Sequence, residues 1–521
     1  MQLRTALVTG LAALATVAAA QTVVPTEQAT AAPTTSAADR HTKRNACLRS
    51  VPEPGTPGKV KICYTILKPA GATKRHKVPM LLHSHGWGGS RATVPADVRR
   101  YLDAGYGVLS FDQRGWGESG GHAHVENPSY EGHDVRALVD VVSRLRWVRQ
   151  DGPGDPRVGA VGGSYGGGYQ LLGAFEELRV GGRPVFDALA PEITWNDLNT
   201  SIAPEGVVRT EWALALAAAS LPSDALPANV YKALLEGAAT GHWPDGSLPL
   251  GEDMKTFFER NGPRWHVGEG RRLDIPVLLG QGTTDSLFNL QQGLTNWRTA
   301  LSARARKRSM FVGYNGGHVL PAIFPRGISV TSDPCSKKLG GGDFLTLSLK
   351  FFDEVLKGRD RALRGFGKVH LATVYSRCTT VRSVAPDTAF PLPDLTTPTA
   401  VGLPVPVQIA KGPLRIAGSS HLTAAVSTSL PDSRAFFGLA IGRSPADAQL
   451  VQGNVMPLNE PTAVSGVRRR IELPAAAVDV PAHQRLYLLV TPISDTFLVM
   501  GSRFPGAIRL EDVQIHLPVV E

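Results

Sequence analysis

The chain has 521 residues, too many for one ordinary core, so two or three domains are expected. With 42% hydrophobic and 19% charged residues its composition is globular, which excludes a largely disordered or fibrous chain. The formal charge of +10 does not by itself indicate nucleic acid: the densest runs, RARKR (304–308) and RRR (468–470), are short, far apart and without interleaved aromatics, and they read as solvated faces.

At the amino terminus, MQLRTALVTGLAALATVAAA has a basic Arg4, a short alanine-rich apolar run and small residues at Ala18 to Ala20, with a second cleavable ATA at Ala29 to Ala31. Residues 1–31 read as a secretory signal peptide, and 32–45, rich in Pro, Thr, Ala and Ser, as a disordered linker. No later segment is apolar over a bilayer's width, so the mature chain is expected outside the cytoplasm with no membrane span. Cys47, Cys63, Cys335 and Cys378 form an even set suited to that compartment; of three pairings, the short-loop one, Cys47 with Cys63 and Cys335 with Cys378, is expected. Their scattered positions have no metal-ligand spacing, and no metal is expected.

From Lys59 to Lys357 short apolar runs alternate with amphipathic helices. VPMLLHSHG, YGVLSFD, VGAVGG, FDALAPE, IPVLLGQG and SMFVGY suit a mostly parallel sheet buried on both faces. EGHDVRALVDVVSRLRW and DFLTLSLKFFDEVLKG are helical, the second with Phe344, Ser348, Phe351, Phe352 and Val355 on one face. The reading is a doubly wound α/β sheet over 46–193 and 264–368. Residues 194–263 interrupt it with helical segments only and read as a cap over the strand ends. From 369 to 521, GPLRIAGSSHLTAAVSTS, RAFFGLAIG, RRRIELP, RLYLLVTP, FLVMG and DVQIHLP are β-like runs, expected to form a β-sandwich of jelly-roll type.

VGAVGGSYGGGYQ (158–170) surrounds one serine with six glycines. No register gives GxGxxG or a phosphate loop, whereas Gly162-Gly163-Ser164-Tyr165-Gly166 fits G-x-S-x-G, a sharp strand-to-helix turn presenting a nucleophile. Acyl transfer also needs a base and an acid to orient it, in the chain order Ser, Asp or Glu, His. Asp285 follows the strand of IPVLLGQGTTDSLF and His318 lies in the glycine loop of SMFVGYNGGHVL, so Ser164, Asp285 and His318 are the expected triad. Asp285 is also placed to cap the following helix. Asp274, Asp333, His242, His266 and His370 lack this placement. The expected oxyanion donors are the backbone N–H groups of Tyr165 and of Trp87 in HGWGG. Asp112 and Arg114, in FDQRGWGESGG, have two readings, contact with substrate or a turn held by internal ion pairing, and the second is the expectation. His122 and His124 lack a third metal ligand.

GGSYGG at Ser164, GTTDSLF at Asp285, GGH at His318, the helical insertion and the terminal β region together resemble the Xaa-Pro dipeptidyl-peptidase (S15) and cocaine-esterase-like group of α/β-hydrolases, over roughly Cys47 to the end. The resemblance implies the same triad, Tyr165 N–H as an oxyanion donor, no cofactor, and a peptide or ester substrate. An exopeptidase acting on Xaa-Pro termini is the first expectation, a carboxylesterase the alternative, and a non-catalytic binding protein the rival from another class. Members of the group commonly supply the second oxyanion donor from a tyrosine hydroxyl, whereas HSHGWGG here is closer to esterases. Glu192 is a candidate for reading a substrate amine, or for capping the insertion.

Overall fold

The computed structural model describes residues 41–182, 185–320, 324–359 and 363–520. The expected signal peptide and linker residues 32–40 lie outside them. The chain divides into two compact units, the first built on residues up to Pro191 with Trp212–Leu234 and Val355–Gly358, the second on Glu192–Glu211, Leu235–Glu354 and residues from Arg359 onward.

In the first unit, strands β1 (Thr42–Pro52), β2 (Lys59–Lys68), β3 (Met80–Ser84), β4 (Gly107–Phe111), β5 (Val158–Gly163) and β6 (Ala188–Glu192) lie in the order β1-β2-β4-β3-β5-β6. β3 runs parallel to β4 and β5, and their runs of Val, Leu and Met are buried because helices cover the sheet. Two of these helices are α1 (Glu131–Ser143) and α2 (Tyr165–Val180); Gly173 of α2 sits where a Cβ would lie 2.7 Å from Val135 of α1. Thr42–Asn45, placed in the linker from their composition, instead begin β1. It is antiparallel to β2 with Cys47 opposite Cys63, and the two cysteines are bonded. Its outward residues are polar, so the hydrophobic pattern gives no sign of it; pairing and the disulfide hold it in place.

In the second unit, β7 (Leu278–Gly282), β8 (Met310–Tyr314) and β9 (Val369–Ala372) are parallel neighbours, and β10 (Cys378–Val381) closes the edge antiparallel. Glu192, which belongs to this unit, is in register with Gly280 of β7. Cys335, in helix Pro334–Gly340, is bonded to Cys378 at the start of β10. In Phe344–Lys357 the core side is Phe344, Leu347, Ser348, Phe351, Phe352 and Leu356; Leu356 takes the place expected for Val355, which is half-buried.

The insertion carries helices α3 (Thr210–Ser220) and α4 (Ala228–Thr240) and the short Leu198–Ile202, Met254–Glu259 and Pro263–Gly268. Beyond it lies a β-sandwich. One sheet orders Thr388–Pro391, Ala507–Leu517, Leu414–Thr428 and Val467–Val480; the other orders Val405–Lys411, Arg485–Thr491, Ser433–Gly442 and Gln449–Leu450. Leu422, Val426, Ile471 and Ile515 of the first sheet share one core with Phe437, Leu439, Leu488 and Val490 of the second. FLVMG is not a strand as expected: Asp495–Phe497 form a 3₁₀ turn, Val499 has φ 59, and Leu498 and Val499 are exposed. An apolar run without alternation mimicked a strand there. The strand order is that of a mostly parallel, doubly wound α/β sheet followed by a terminal β-sandwich, as expected. No helix among the described residues is long and apolar enough to cross a membrane.

Candidate active site

Ser164 stands between β5 and α2 with φ 58 and ψ −122, a backbone conformation that L-residues adopt only where surrounding structure enforces it. The glycines beside it make the turn sterically open. A Cβ on Gly162, itself at φ +143, would lie 2.6 Å from the Gly166 carbonyl oxygen; one on Gly166 would lie 2.5 Å from that of Ser84. Gln170 fastens the turn, its Nε2 donating to the carbonyls of Gly162 and Gly166 at 3.0 Å each and its Oε1 accepting from Ala190 N–H at 3.2 Å. The first turn of α2 therefore begins at the serine, where the helix dipole favours negative charge.

The HGWGG loop lies against this turn. A Cβ position on Gly86 is 3.7 Å from Ser164 Cβ, and the Trp87 ring meets Tyr165 edge-on at 5.0 Å and Trp116 at 4.8 Å. The indole N–H donates to the Leu216 carbonyl of α3 at 2.9 Å. His85 anchors the loop: Nδ1–H donates to Gly86 O at 2.8 Å while Nε2 accepts from Gln113 N–H at 3.1 Å. Burial pushes His85 below its ordinary value and takes His83 down to about 4, so both serve as neutral scaffolding.

Asp112 and Arg114, read as ion-pairing residues, are fully buried in ion pairs. Asp112 binds Arg91, and Arg114 donates to Asp134 and Glu53 at 2.8 Å each. His124 Nε2 lies 2.7 Å from Glu53 Oε2 and His122 Nδ1 lies 3.7 Å from it, so both imidazoles converge on one carboxylate. Burial pushes Glu53 up, but hydrogen bonds from His124 and Arg114 outweigh it and hold the group at about 2. The described residues contain no His, Cys, Asp and Glu cluster able to hold a metal ion.

In the second unit the expected acid and base are hydrogen-bonded, His318 Nδ1 to Asp285 Oδ2 at 2.7 Å. Asp285 is fully buried, and its other oxygen accepts from the backbone N–H groups of Leu287 (3.0 Å) and Phe288 (2.7 Å). The same carboxylate thus closes the turn 285–288 and is hydrogen-bonded to the imidazole, but it is not the cap expected for the following helix, since Leu290–Thr295 begins at Asn289, four residues further on. Its loop is tied to that of His318, since Ser286 N–H donates to His318 O at 2.9 Å. Gly317, at φ +104, leaves no room for a Cβ, which would fall 2.7 Å from Asp285. Phe288 meets the imidazole edge-on at 5.3 Å.

The other candidates are engaged elsewhere. Asp333 caps helix Pro334–Gly340, and Asp274 binds Ser302 and Arg304. His242 pairs with Asp432 at 3.4 Å, His370 contacts Thr380 and Gly365, and His266 is buried with its ring 4.7 Å from that of Trp265. Glu192 accepts from Tyr314 O–H at 3.1 Å, and burial raises it to about 7. In the basic runs, Arg304, Arg468, Arg469 and Arg470 each pair with a carboxylate. Gln170, Asn454 and Arg209 escaped the sequence reading. Asn454 Nδ2 donates to the Asp285 carbonyl at 2.7 Å and Arg209 is a fully buried cation; neither belongs to a motif.

A strained serine at a strand-to-helix turn, and an aspartate–histidine pair after later strands, follow the chain order expected of hydrolases of the α/β class. The model of the family described as "X-Pro dipeptidyl-peptidase (S15 family)" matches residues 58–319, just over half of the chain, and the chain belongs to that family. Similar solved structures include an aminopeptidase from a marine sediment Thaumarchaeota archaeon (TM-score 0.64, 15% identity, 96% of this chain and 99% of that one). A CocE/NonD family hydrolase from Staphylococcus aureus has TM-score 0.64 and 13% identity over 91% of this chain and 94% of its own. An α-amino acid ester hydrolase has TM-score 0.60 and 14% identity over 96% and 100%. At such identities the likeness is one of fold. The chain spans 39% of the length of the curated relatives it matches first.

Proposed function

We propose that the protein is a secreted serine hydrolase acting through an acyl-enzyme, with Xaa-Pro dipeptidyl-peptidase-type cleavage as its reaction. The observation that carries the reading is the Asp285–His318 hydrogen bond, which holds Nδ1–H on Asp285 and leaves Nε2 as the basic nitrogen. In this reading Ser164 Oγ attacks the substrate carbonyl carbon as His318 Nε2 takes its proton. The tetrahedral oxyanion is met by the backbone N–H groups of Tyr165 and Trp87, and His318 returns the proton to the leaving amine. Water then attacks the acyl-serine with His318 again as base. The reaction so written needs no cofactor. The two disulfides favour an oxidising, extracellular setting.

Carboxylester hydrolysis is the second reading, and two observations favour it. The HGWGG loop beside Ser164 suits a backbone donor, as in esterases. Glu192, the sequence candidate for a substrate ammonium, is held by Tyr314 and raised to about 7, which makes it a poor counter-ion. Hydrolysis of an Ala-Pro anilide and a short-chain aryl ester by the mature chain, beside Ser164→Ala, separates the readings. Anilide turnover lost in the variant supports the peptidase, and ester turnover alone supports the esterase. A variant as active as the parent would remove Ser164 from the mechanism. The expected loss is about 10⁴-fold or more.

A further inference from the structure

Two exposed segments meet at the starts of β3 and β5, the strand ends away from Ser164. Val78 N–H donates to the Trp147 carbonyl at 3.1 Å, and Arg149 N–H donates to the Val78 carbonyl at 2.8 Å. This bridge sets the turn 73–77 beside residues 144–149, which follow α1. Lys74, Arg75, Lys77, Arg144, Arg146 and Arg149 are all exposed, and none forms an ion pair or a side-chain hydrogen bond among the described residues. The basic runs 304–308 and 468–470 differ, since Arg304, Arg468, Arg469 and Arg470 each pair with a carboxylate. Like charges gathered without partners repel one another and draw anions to their surface.

Lys77, Arg144 and Arg146 line one cleft of about 460 Å³ with Ser143, Gln150 and the turn Gly152-Pro153-Gly154. The carboxylate in its lining, Asp151, is taken up by Arg157. Gln150 Nε2 donates to the Ser143 carbonyl at 3.4 Å, which fixes the orientation of the amide and leaves Oε1 as an acceptor the fold does not use. Cations and a neutral acceptor therefore stand side by side. A bare phosphate chain answers only the cations, whereas a sugar polymer with anionic groups answers both, because its hydroxyls donate. No exposed large apolar side chain lies in either segment to enter a bilayer. Trp147 packs inward, where a Cβ on Gly107 would lie 2.5 Å from its ring, so it is not free to stack on a nucleobase.

We propose that this cleft is a second binding site, for a linear acidic polysaccharide whose sulfate or carboxylate groups meet Lys77, Arg144 and Arg146 while a hydroxyl donates to Gln150 Oε1. Lys74, Arg75 and Arg149 extend the cationic track beyond the cleft. Because the site lies at the opposite strand ends from Ser164, a bound polymer leaves the serine turn uncovered and holds the hydrolase on an anionic matrix.

The test compares two charge-matched variants of the mature chain. Lys77→Gln/Arg144→Gln/Arg146→Gln removes three charges from the cleft, and Lys337→Gln/Lys338→Gln/Lys350→Gln removes three exposed charges elsewhere. Binding to immobilised heparin and polygalacturonate is read at low and at physiological salt. The cleft variant should bind about tenfold or more weakly, with a shallower salt dependence, and the control should stay within about threefold of the parent. Tighter binding of heparin identifies sulfate as the group held, and tighter binding of polygalacturonate identifies carboxylate. Gln150→Leu should weaken polysaccharide binding about threefold and leave inorganic polyphosphate, which has no hydroxyls along its chain, unaffected. Equal losses in the two triple variants would overturn the proposal, because net charge alone would then be responsible. So would an unchanged affinity in Gln150→Leu, or tighter binding of polyphosphate or of phosphatidylserine vesicles than of either polysaccharide. Reporter hydrolysis should be unchanged in the cleft variant, and Ser164→Ala should bind the polymer as the parent does, so the site stands or falls apart from the triad.

Discussion

The turn that carries Ser164 and the loops that carry Asp285 and His318 are held by different means. Around Ser164 the positioning is done by backbone: missing Cβ atoms at Gly162 and Gly166 let β5, α2 and the Ser84 carbonyl crowd together, and a strained φ follows. Around Asp285 it is done by side chains, with one carboxylate accepting from two backbone N–H groups and an imidazole, and with Asn454 bound to its carbonyl. A backbone device fails sterically and takes the local fold with it. A hydrogen-bond device fails electrostatically and can leave the fold standing.

That contrast is open to test. Asp285→Asn should cost about 10⁴-fold in kcat, by favouring the wrong imidazole tautomer, with little change in thermal unfolding. If unfolding shifted as strongly as turnover, Asp285 would mainly be holding its turn. Gly166→Ala should do the reverse, losing about 3 kcal/mol or more of stability because the new methyl meets the Ser84 carbonyl, with activity falling only alongside the folded fraction. Denaturant unfolding of both variants gives the comparison. Asn454→Ala should be milder, about 1–3 kcal/mol, as the Asp285 carbonyl loses its side-chain donor; a null result in urea unfolding would show that water replaces the amide.

The smallest effect concerns pH. Glu192 is raised to about 7 by burial, so the folded state keeps a proton that the unfolded state loses near its ordinary, lower value. Its contribution is therefore most favourable at low pH and diminishes as pH rises toward 7. Glu192→Gln should flatten that part of the stability curve, seen as a smaller fall in Tm between about pH 5 and 7.5. An unchanged slope would assign the decline to Glu131 and Asp187, which burial likewise raises to about 7.

What the amino-acid order reveals follows the same division. Gly162, Gly166 and Gly317 stand where the backbone admits nothing else, so composition alone marks their loops. The chain order of Asp285 and His318 after apolar strands was legible for a related reason, since parallel strands buried on both faces leave a strong pattern. Side-chain positioning leaves none. Nothing near Arg209 or Asn454 in the sequence indicates that they meet Met456 and Asp285, 247 and 169 positions away, because partners brought together only by tertiary packing have no local spacing. β1 was missed because its polar outward residues resemble a linker, and FLVMG was over-read because apolarity without alternation does not tell strand from turn.

The left-handed backbone of Ser164 also bears on how such a site can diversify. Threonine carries a hydroxyl too, but its branched Cβ is poorly tolerated at that φ, whereas cysteine has the shape of serine. Mutational drift at this position therefore leads toward a thiol and away from the secondary alcohol. The backbone, ahead of any chemistry, has narrowed which side chain can stand at this turn.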